Sequence, residues 1–170
     1  MKRAAYNVLL DWKGKSGRKP LIIQGARQVG KTWLMREFGK KEFGQTAYFN
    51  FEINKALHSI FKSGFDTGKI ISSLNIVAGF KIEPSNTLII LDEIQACPEA
   101  ITSLKYFQEN SPEYNIFAAG SLLGVAIHGG VSFPVGKVDF LTVFPLDSLN
   151  FLMQWDIHNC QQRLNLGILH

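Results

Sequence analysis

The sequence predicts a single α/β domain built on a parallel sheet. Short, continuously apolar runs such as Leu21-Ile22-Ile23 and Thr87–Leu91 alternate with stretches whose apolar residues recur at helical spacing. Apolar strands separated by helices are typical of a parallel sheet that is covered on both faces. The length of 170 residues suffices for one domain and is too short for two ordinary ones.

The elements are justified in chain order. Apolar residues at Ala5, Val8, Leu9 and Trp12 have helical spacing and predict a first helix over 3–13. Gly39 is expected to end the second helix, and Pro98 to begin a later one at its first position. The remaining patterns predict strands over 21–23, 46–51, 87–91, 114–119 and 138–144, and helices over 33–38, 55–61, 69–80, 98–110 and, capped by Asp147, as far as 155.

Composition excludes several classes of protein. A chain with 46% hydrophobic and 19% charged residues is neither a disordered tail nor a disulfide mini-protein. Cys97 and Cys160 are far apart and lack metal-ligand spacing, which fits a reducing compartment. No run approaches the roughly 18 apolar residues of a membrane span. We therefore expect a cytoplasmic protein with no membrane contact.

Charge is unevenly distributed along the chain. Residues 1–41 contain 11 Lys and Arg against 2 Asp and Glu, whereas the remaining residues contain 7 against 12. This basic segment could form a face that binds a polyanion such as nucleic acid. Alternatively, one lysine serves a phosphate site and the others are solvated.

One motif points directly to phosphate chemistry. Residues 25–32 match the phosphate-loop pattern G-x-x-x-x-G-K-[ST], after a predicted strand and before a predicted helix. The two glycines permit positive φ, and the loop N–H groups with the helix N-terminus form an anion site. Lys31 can reach the β- and γ-phosphates, and Thr32 can bind Mg²⁺. The predicted nucleotide-binding residues are Gly25, Ala26, Arg27, Gln28, Val29, Gly30, Lys31, Thr32 and Trp33.

Two adjacent acids follow the apolar strand that ends at Leu91. An acid at this position lies in the crevice where α/β sheets bind ligands. Asp92 is predicted to help hold Mg²⁺, and Glu93 to orient and deprotonate a hydrolytic water. A purely structural alternative is that the two acids cap the next helix.

The same residues discriminate among nucleotide-binding classes. The Asp92-Glu93 pair suggests water activation and therefore hydrolysis. The guanine-reading tetrapeptide Asn-Lys-x-Asp does not occur, and residues 37–162 contain no arginine for the lid of a small-molecule kinase. ATP with Mg²⁺ is therefore the predicted ligand.

Two polar residues have open assignments. Ser121, directly after the strand ending at Gly120, could contact the attacking water or the γ-phosphate, or could be a turn or N-cap serine. Gln95 could position water or relay the nucleotide state, or could be an exposed glutamine at a helix start.

Several motifs occurring in order resemble a family of prokaryotic AAA-like P-loop ATPases, whose members typically carry a second, C-terminal domain of unknown function. The resemblance implies a sheet of order 5-1-4-3-2, with 114–119 between 20–25 and 87–92. It also implies Lys31 and Thr32 for phosphate and Mg²⁺, Asp92 for Mg²⁺, Glu93 for water activation and Ser121 as a polar sensor. The motifs are Gly25-Ala-Arg-Gln-Val-Gly-Lys-Thr32, Leu91-Asp-Glu-Ile-Gln95, Gly120-Ser-Leu-Leu-Gly124, Ser132-Phe-Pro-Val-Gly-Lys137 and Phe144-Pro-Leu146.

The resemblance also sets expectations for organisation and activity. It assigns residues 1–153 to the ATPase core and leaves 154–170 as an unmatched tail, with no counterpart of the family's lid and second domain. The candidates for a cation that stabilises the transferred phosphoryl group are Arg27, Lys137, or an arginine from a protein partner or a second copy. We expect an ATPase with slow intrinsic turnover; the alternatives are a nucleotide-dependent switch that hydrolyses little ATP, and a nucleic-acid-associated module.

Overall fold

Five parallel strands form one sheet. The computed structural model describes residues 2–120, 134 and 136–144 of the chain. Its strands are β1 (Leu21–Gln24), β2 (Gln45–Asn50), β3 (Thr87–Asp92), β4 (Asn115–Gly120) and β5 (Asp139–Thr142). Their order is β2-β3-β4-β1-β5, and every neighbouring pair is parallel. The predicted order is confirmed, with β4 between β1 and β3.

The strands are connected by helices that begin and end at recognisable signals. The helices are α1 (Lys2–Gly14), α2 (Lys31–Glu42), α3 (Ala56–Lys62), α4 (Thr67–Ala78) and α5 (Pro98–Asn110), with a short 3-10 turn over Ile94–Ala96. The Asp66 side chain caps α4 by accepting a hydrogen bond from the Lys69 N–H at 3.0 Å, and Gly79 ends α4 in the left-handed conformation. As predicted, α5 begins at Pro98.

Each face of the sheet carries its own apolar core. On β3, Leu88 and Ile90 pack in the core formed with α1 and α2, whereas Ile89 and Leu91 pack in the core formed with α3, α4 and α5. This alternation follows from the two-residue period of a strand. Each fully buried large apolar side chain contributes about 1.5–3 kcal/mol relative to an exposed one. The layers are therefore helix, sheet and helix, which confirms the predicted three-layer α/β fold.

One predicted boundary is wrong. Gly39 lies inside α2, which continues to Glu42, so it does not end the helix. A Cβ atom at Gly39 would lie only 2.5 Å from Thr46 Oγ1 and 3.2 Å from Leu88 Cδ2. Glycine is therefore needed there because the helix packs closely against the sheet.

Other differences are small. The fifth strand is shorter than the predicted 138–144, and β2 begins one residue earlier than expected. The helix predicted from Asp147 to residue 155 lies outside the described residues. None of the helices in the described part of the chain is long and apolar enough to cross a bilayer.

Candidate functional site

The loop between β1 and α2 adopts a conformation that depends on glycine. Gly25 has φ 151° and Gly30 has φ 88°. A Cβ atom on Gly25 would overlap the carbonyl oxygen of Val143, because the chain after β5 runs directly alongside the loop. Gln28 also has a positive φ of 63°. Backbone of this kind is uncommon outside glycine and is concentrated at functional loops.

Lys31 points back into this loop. Its Nζ donates to the carbonyl oxygens of Gly25 at 2.9 Å and Ala26 at 2.7 Å. The side chain is buried, and this burial lowers the pKa of Lys31, while the nearby carboxylates of Glu93 and Asp92 oppose that effect. A poorly solvated ammonium group is thus held beside the loop, and an anion bound there would favour its charged form.

Thr32 and Asp92 connect α2 to the end of β3. Thr32 Oγ1 donates to Asp92 Oδ2 at 2.8 Å, and the N–H of Glu93 donates to Asp92 Oδ1 at 3.1 Å. Asp92 is only 2% exposed. Hydroxyl and carboxylate oxygens are the hard ligands that Mg²⁺ prefers. The pair therefore fits Mg²⁺ as two of its oxygen ligands. The described residues contain no group of three His, Cys, Asp or Glu that could hold a metal by themselves.

Glu93 is held in place by its own backbone and by Gln95. Its φ of 52° and ψ of 43° lie in the left-handed region, which costs about 1–3 kcal/mol for a residue with a side chain. Gln95 Nε2 donates to Glu93 Oε2 at 2.6 Å. Gln95 Oε1 is buried and has no hydrogen-bond partner in the structure. The local geometry therefore fixes the direction of the Glu93 carboxylate.

A cleft of about 560 Å³ opens beside these groups. Of the nine predicted nucleotide-binding residues, six line it; Ala26 contributes its carbonyl to Lys31, and Val29 packs against the core formed with α1 and α2. Glu93 also reaches the cleft. The lining residues are Arg27, Gln28, Gly30, Lys31, Thr32, Trp33, Glu52 and Glu93.

Two residues of this region were not predicted from the sequence. Glu52 lines the cleft from the turn after β2, where Asn50 Oδ1 accepts hydrogen bonds from the N–H groups of Glu52 and Ile53. Tyr48 OH donates to Asp92 Oδ2 at 2.7 Å, and burial followed by this bond and the Asp92 charge raises the pKa of Tyr48. The rule applied to Asp92, that parallel strands end at the same edge, would also have found Glu52.

One predicted candidate for catalysis is not part of the cleft, and another falls outside the described residues. Lys137 precedes β5 and therefore lies at the opposite end of the sheet, where its Nζ is 3.0 Å from Glu109 Oε1. The phosphate loop follows the carboxyl end of β1, whereas Lys137 lies at the amino ends of the strands. Lys137 therefore cannot be the cation that contacts phosphates bound at the loop. Ser121 lies outside the described residues, although β4, which it follows, does end beside β1 and β3.

The basic N-terminal segment makes many internal contacts. Lys13 and Lys41 pair with Glu42 and Glu37, and Lys15 pairs with Asp139. Lys19 Nζ donates to the carbonyl oxygen of Gly136 at 2.7 Å. Lys31 lies in the phosphate loop, in keeping with the second alternative, but these four other lysines make contacts within the fold, whereas that alternative expected them only to be solvated.

The comparison with protein families places the chain in a known class. A family model described as an AAA domain (AAA_14) matches residues 17–152, so the chain belongs to this family of AAA domains. The match spans β1, the loop, α2, β3 and all other elements from β1 to β5. No curated protein sequence matches the chain.

Solved structures with a similar fold include three at low sequence identity. They are PCH-2 of C. elegans (13% identity, 85% of this chain and 42% of that chain, TM-score 0.46), Orc1 of Aeropyrum pernix in complex with DNA (17%, 84% and 44%, TM-score 0.49) and AMPPCP-bound DnaA of Aquifex aeolicus (18%, 84% and 46%, TM-score 0.46). The chain spans less than half the length of each. None of the three bears on what this chain does.

Proposed function

We propose that this chain binds ATP together with Mg²⁺ and hydrolyses it slowly. The observation that carries the proposal is the 2.8 Å hydrogen bond from Thr32 Oγ1 to Asp92 Oδ2, because it joins the phosphate loop to the acid at the end of β3. A hydroxyl and a carboxylate beside an anion-binding loop suit a nucleotide with its magnesium ion. Membership of an AAA domain family supports the same ligand.

Each group then has a chemical role. Lys31 and the N–H groups at the start of α2 bind the phosphates. Thr32 and Asp92 would hold Mg²⁺, which, when bound, neutralises charge on the phosphate oxygens. Glu93 accepts a proton from water as the water oxygen bonds to the γ-phosphorus and the bond to the β–γ bridging oxygen breaks, which yields ADP and phosphate.

We expect turnover to be slow because arginine, which commonly stabilises the transition state of phosphoryl transfer, is scarce in this chain. An arginine that stabilises the transferred phosphoryl group increases rates by about 10³–10⁵-fold. Arg27 lines the cleft, and residues 37–162 contain no arginine. We therefore expect a rate below about 1 s⁻¹ for the isolated chain, at the lower end of ordinary enzymes. Where Arg27 does not act in this way, a second copy or a protein partner would supply the arginine.

Single-turnover hydrolysis of Mg-ATP at increasing protein concentration tests this function. We expect Glu93→Gln to reduce the rate by about 10²–10⁴-fold while ATP binding is retained, because it removes a proton acceptor without removing phosphate contacts. Glu113→Gln, at an exposed acid before β4, is the matched control and should leave the rate unchanged. Equal rates in the wild type and Glu93→Gln, with ATP bound in both, would refute hydrolysis through Glu93.

The concentration dependence separates two kinds of ATPase. A rate that increases with protein concentration indicates a catalytic group supplied between copies. A rate independent of concentration indicates that the chain acts alone or needs a different partner.

A second candidate function is a nucleotide-dependent switch with little hydrolysis. It is favoured by the 2.6 Å hydrogen bond that restrains the Glu93 carboxylate through Gln95 Nε2. If this contact holds Glu93 away from water, Gln95→Ala should increase the single-turnover rate severalfold without changing ATP affinity. A lower rate in Gln95→Ala would instead mean that the amide assists catalysis, and would contradict the switch.

Association with nucleic acid stays a prediction from the charge of residues 1–41. Binding of this kind weakens steeply as salt increases, because it releases counterions. Failure to bind duplex DNA at low salt would remove it.

A further inference from the structure

Asp92 Oδ2 accepts hydrogen bonds from two side chains on two different elements. Thr32 Oγ1 of α2 donates at 2.8 Å, and Tyr48 OH of β2 donates at 2.7 Å. In the sheet, Tyr48 pairs with Ile90, and Asn50 pairs with Asp92 itself. Asp92 lies two residues beyond the register partner of Tyr48, and the long Tyr48 side chain spans this offset to reach the Asp92 carboxylate. The Tyr48 hydroxyl restrains the same oxygen that contacts the phosphate-loop threonine.

Tyr48 is itself held from the other side by α2. The guanidinium carbon of Arg36 lies 4.0 Å from the centroid of the Tyr48 ring, within the range of a cation–π contact. Asn50 Nδ2 makes a weaker contact with Tyr48 OH at 3.4 Å. Arg36 follows Thr32 by four residues, so both project from the same side of the helix.

These contacts form a closed circuit. It runs from Thr32 on α2 to Asp92 on β3, then to Tyr48 on β2, and returns to α2 through Arg36. A carboxylate held by two hydroxyls and one backbone N–H has little freedom to rotate. The circuit thus fixes the orientation of the acid relative to the threonine.

We propose that Tyr48 is a positioning residue for the metal-binding Asp92, and that Arg36 in turn holds Tyr48. The inference rests on the proposed function. Thr32 Oγ1 can donate its proton to Asp92 while its lone pairs remain open to a cation, so a rigid Asp92 keeps the threonine oriented. Hydrogen-bond partners of this outer kind commonly change metal affinity or activity by about 10–100-fold.

The test compares ADP binding with Mg²⁺ and with EDTA, measured by calorimetry on wild type and Tyr48→Phe. The substitution keeps the ring and its contact with Arg36 but removes the hydroxyl. We expect affinity in EDTA to stay within about twofold, and the gain in affinity from Mg²⁺ to shrink by about tenfold. A tyrosine that merely fills the core would not alter the Mg²⁺ dependence.

Two further variants sharpen the result. Tyr106→Phe removes a hydroxyl from α5, where the ring stacks on Phe65, and should leave the Mg²⁺ gain unchanged. Arg36→Met removes the cation and keeps a flexible apolar cover on Tyr48. It should reduce the Mg²⁺ gain by about two- to fivefold, the range expected for a cation–π contact.

The outcomes distinguish this inference from the function on which it rests. A full Mg²⁺ gain in folded Tyr48→Phe overturns the role of Tyr48 and leaves the proposed function intact. Wild-type protein that binds neither ATP nor ADP overturns the proposed function, and the inference with it.

Discussion

The two ends of the sheet treat buried charge in different ways. At the amino ends of the strands, the buried Asp139 carboxylate pairs with Lys15 at 3.4 Å. At the carboxyl ends, Lys31 and Asp92 are both buried, and the Asp92 charge opposes the lowering of the Lys31 pKa, yet each side chain contacts other groups. Lys31 donates to loop carbonyls, and Asp92 accepts from hydroxyls.

This difference separates stability from ligand binding. A cation and an anion that pair directly contribute to the fold and have little capacity left for a ligand. A cation and an anion held apart by neutral groups keep that capacity, at the cost of desolvation that the fold must tolerate. We therefore expect substitutions at the carboxyl ends to change nucleotide affinity most, and substitutions at the amino ends to change stability most.

The largest effect should come from Lys31→Ala. The substitution removes a charged hydrogen-bond donor to the phosphates. Such a bond contributes about 3 kcal/mol to binding, so ATP affinity should fall by about 100-fold. Calorimetric titration with ATP measures the change. Lys40→Ala, at an exposed lysine of the same helix, is the control. Equal affinities in the two variants would contradict the assignment of Lys31.

A smaller effect, on stability alone, is expected from Lys15→Met. Asp139 is 2% exposed and would lose its charged partner, so the free energy of unfolding should fall by about 1–2 kcal/mol. Urea denaturation measures this change, with Lys55→Met at an exposed position as the control. ATP affinity should stay the same. If it drops as well, the two ends of the sheet are coupled and the comparison fails.

The smallest effect is expected where α1 contacts the last turn of α2. Tyr6 OH donates to Glu42 Oε1 at 2.6 Å, so Tyr6→Phe should lower the free energy of unfolding by about 1 kcal/mol or less at this partly exposed contact. Urea denaturation at neutral pH measures it. ATP affinity should not change.

The pH dependence of the same variant provides a sharper test. Burial and the hydrogen bond to Glu42 raise the pKa of Tyr6 to about 12. The protonated Tyr6 hydroxyl therefore stabilises the fold fully below the ordinary pKa of tyrosine, and this stabilisation is lost as pH rises through about 12. The Tyr6 bond, followed by contacts with Lys13, lowers the pKa of Glu42, so that contribution is present above the ordinary glutamate range and is lost as pH falls through the lowered value. Tyr6→Phe should therefore reduce the loss of folding stability at high pH and at low pH. Unchanged stability profiles at both extremes would show that the contact contributes nothing.

Local patterns in the sequence predicted much of the fold and the centre of the site. The phosphate loop is contiguous, so its glycines, Lys31 and Thr32 could be recognised without tertiary information. The apolar run before Asp92 likewise predicted β3, whereas the order of the strands came from the resemblance to a family.

Features that depend on strand register could not be predicted in this way. Tyr48 meets Asp92 only because β2 pairs with β3 in one register. Gly39 looked like the end of a helix because its lack of a side chain is visible in the sequence, whereas the close approach of Thr46 is not. In both cases the deciding contact joins residues distant in sequence.

Helix α2 connects the phosphate loop with the N-terminal helix α1. Thr32 lies in its first turn and Glu42 is its last residue, so about 15 Å of rigid helix separates the two. At the far end, Glu42 accepts hydrogen bonds from the side chains of Tyr6 and Lys13 of α1. Helix α2 is therefore tied at both ends, to β3 through Thr32 and Asp92 and to α1 through Glu42, so it cannot slide along its axis without breaking one of these contacts.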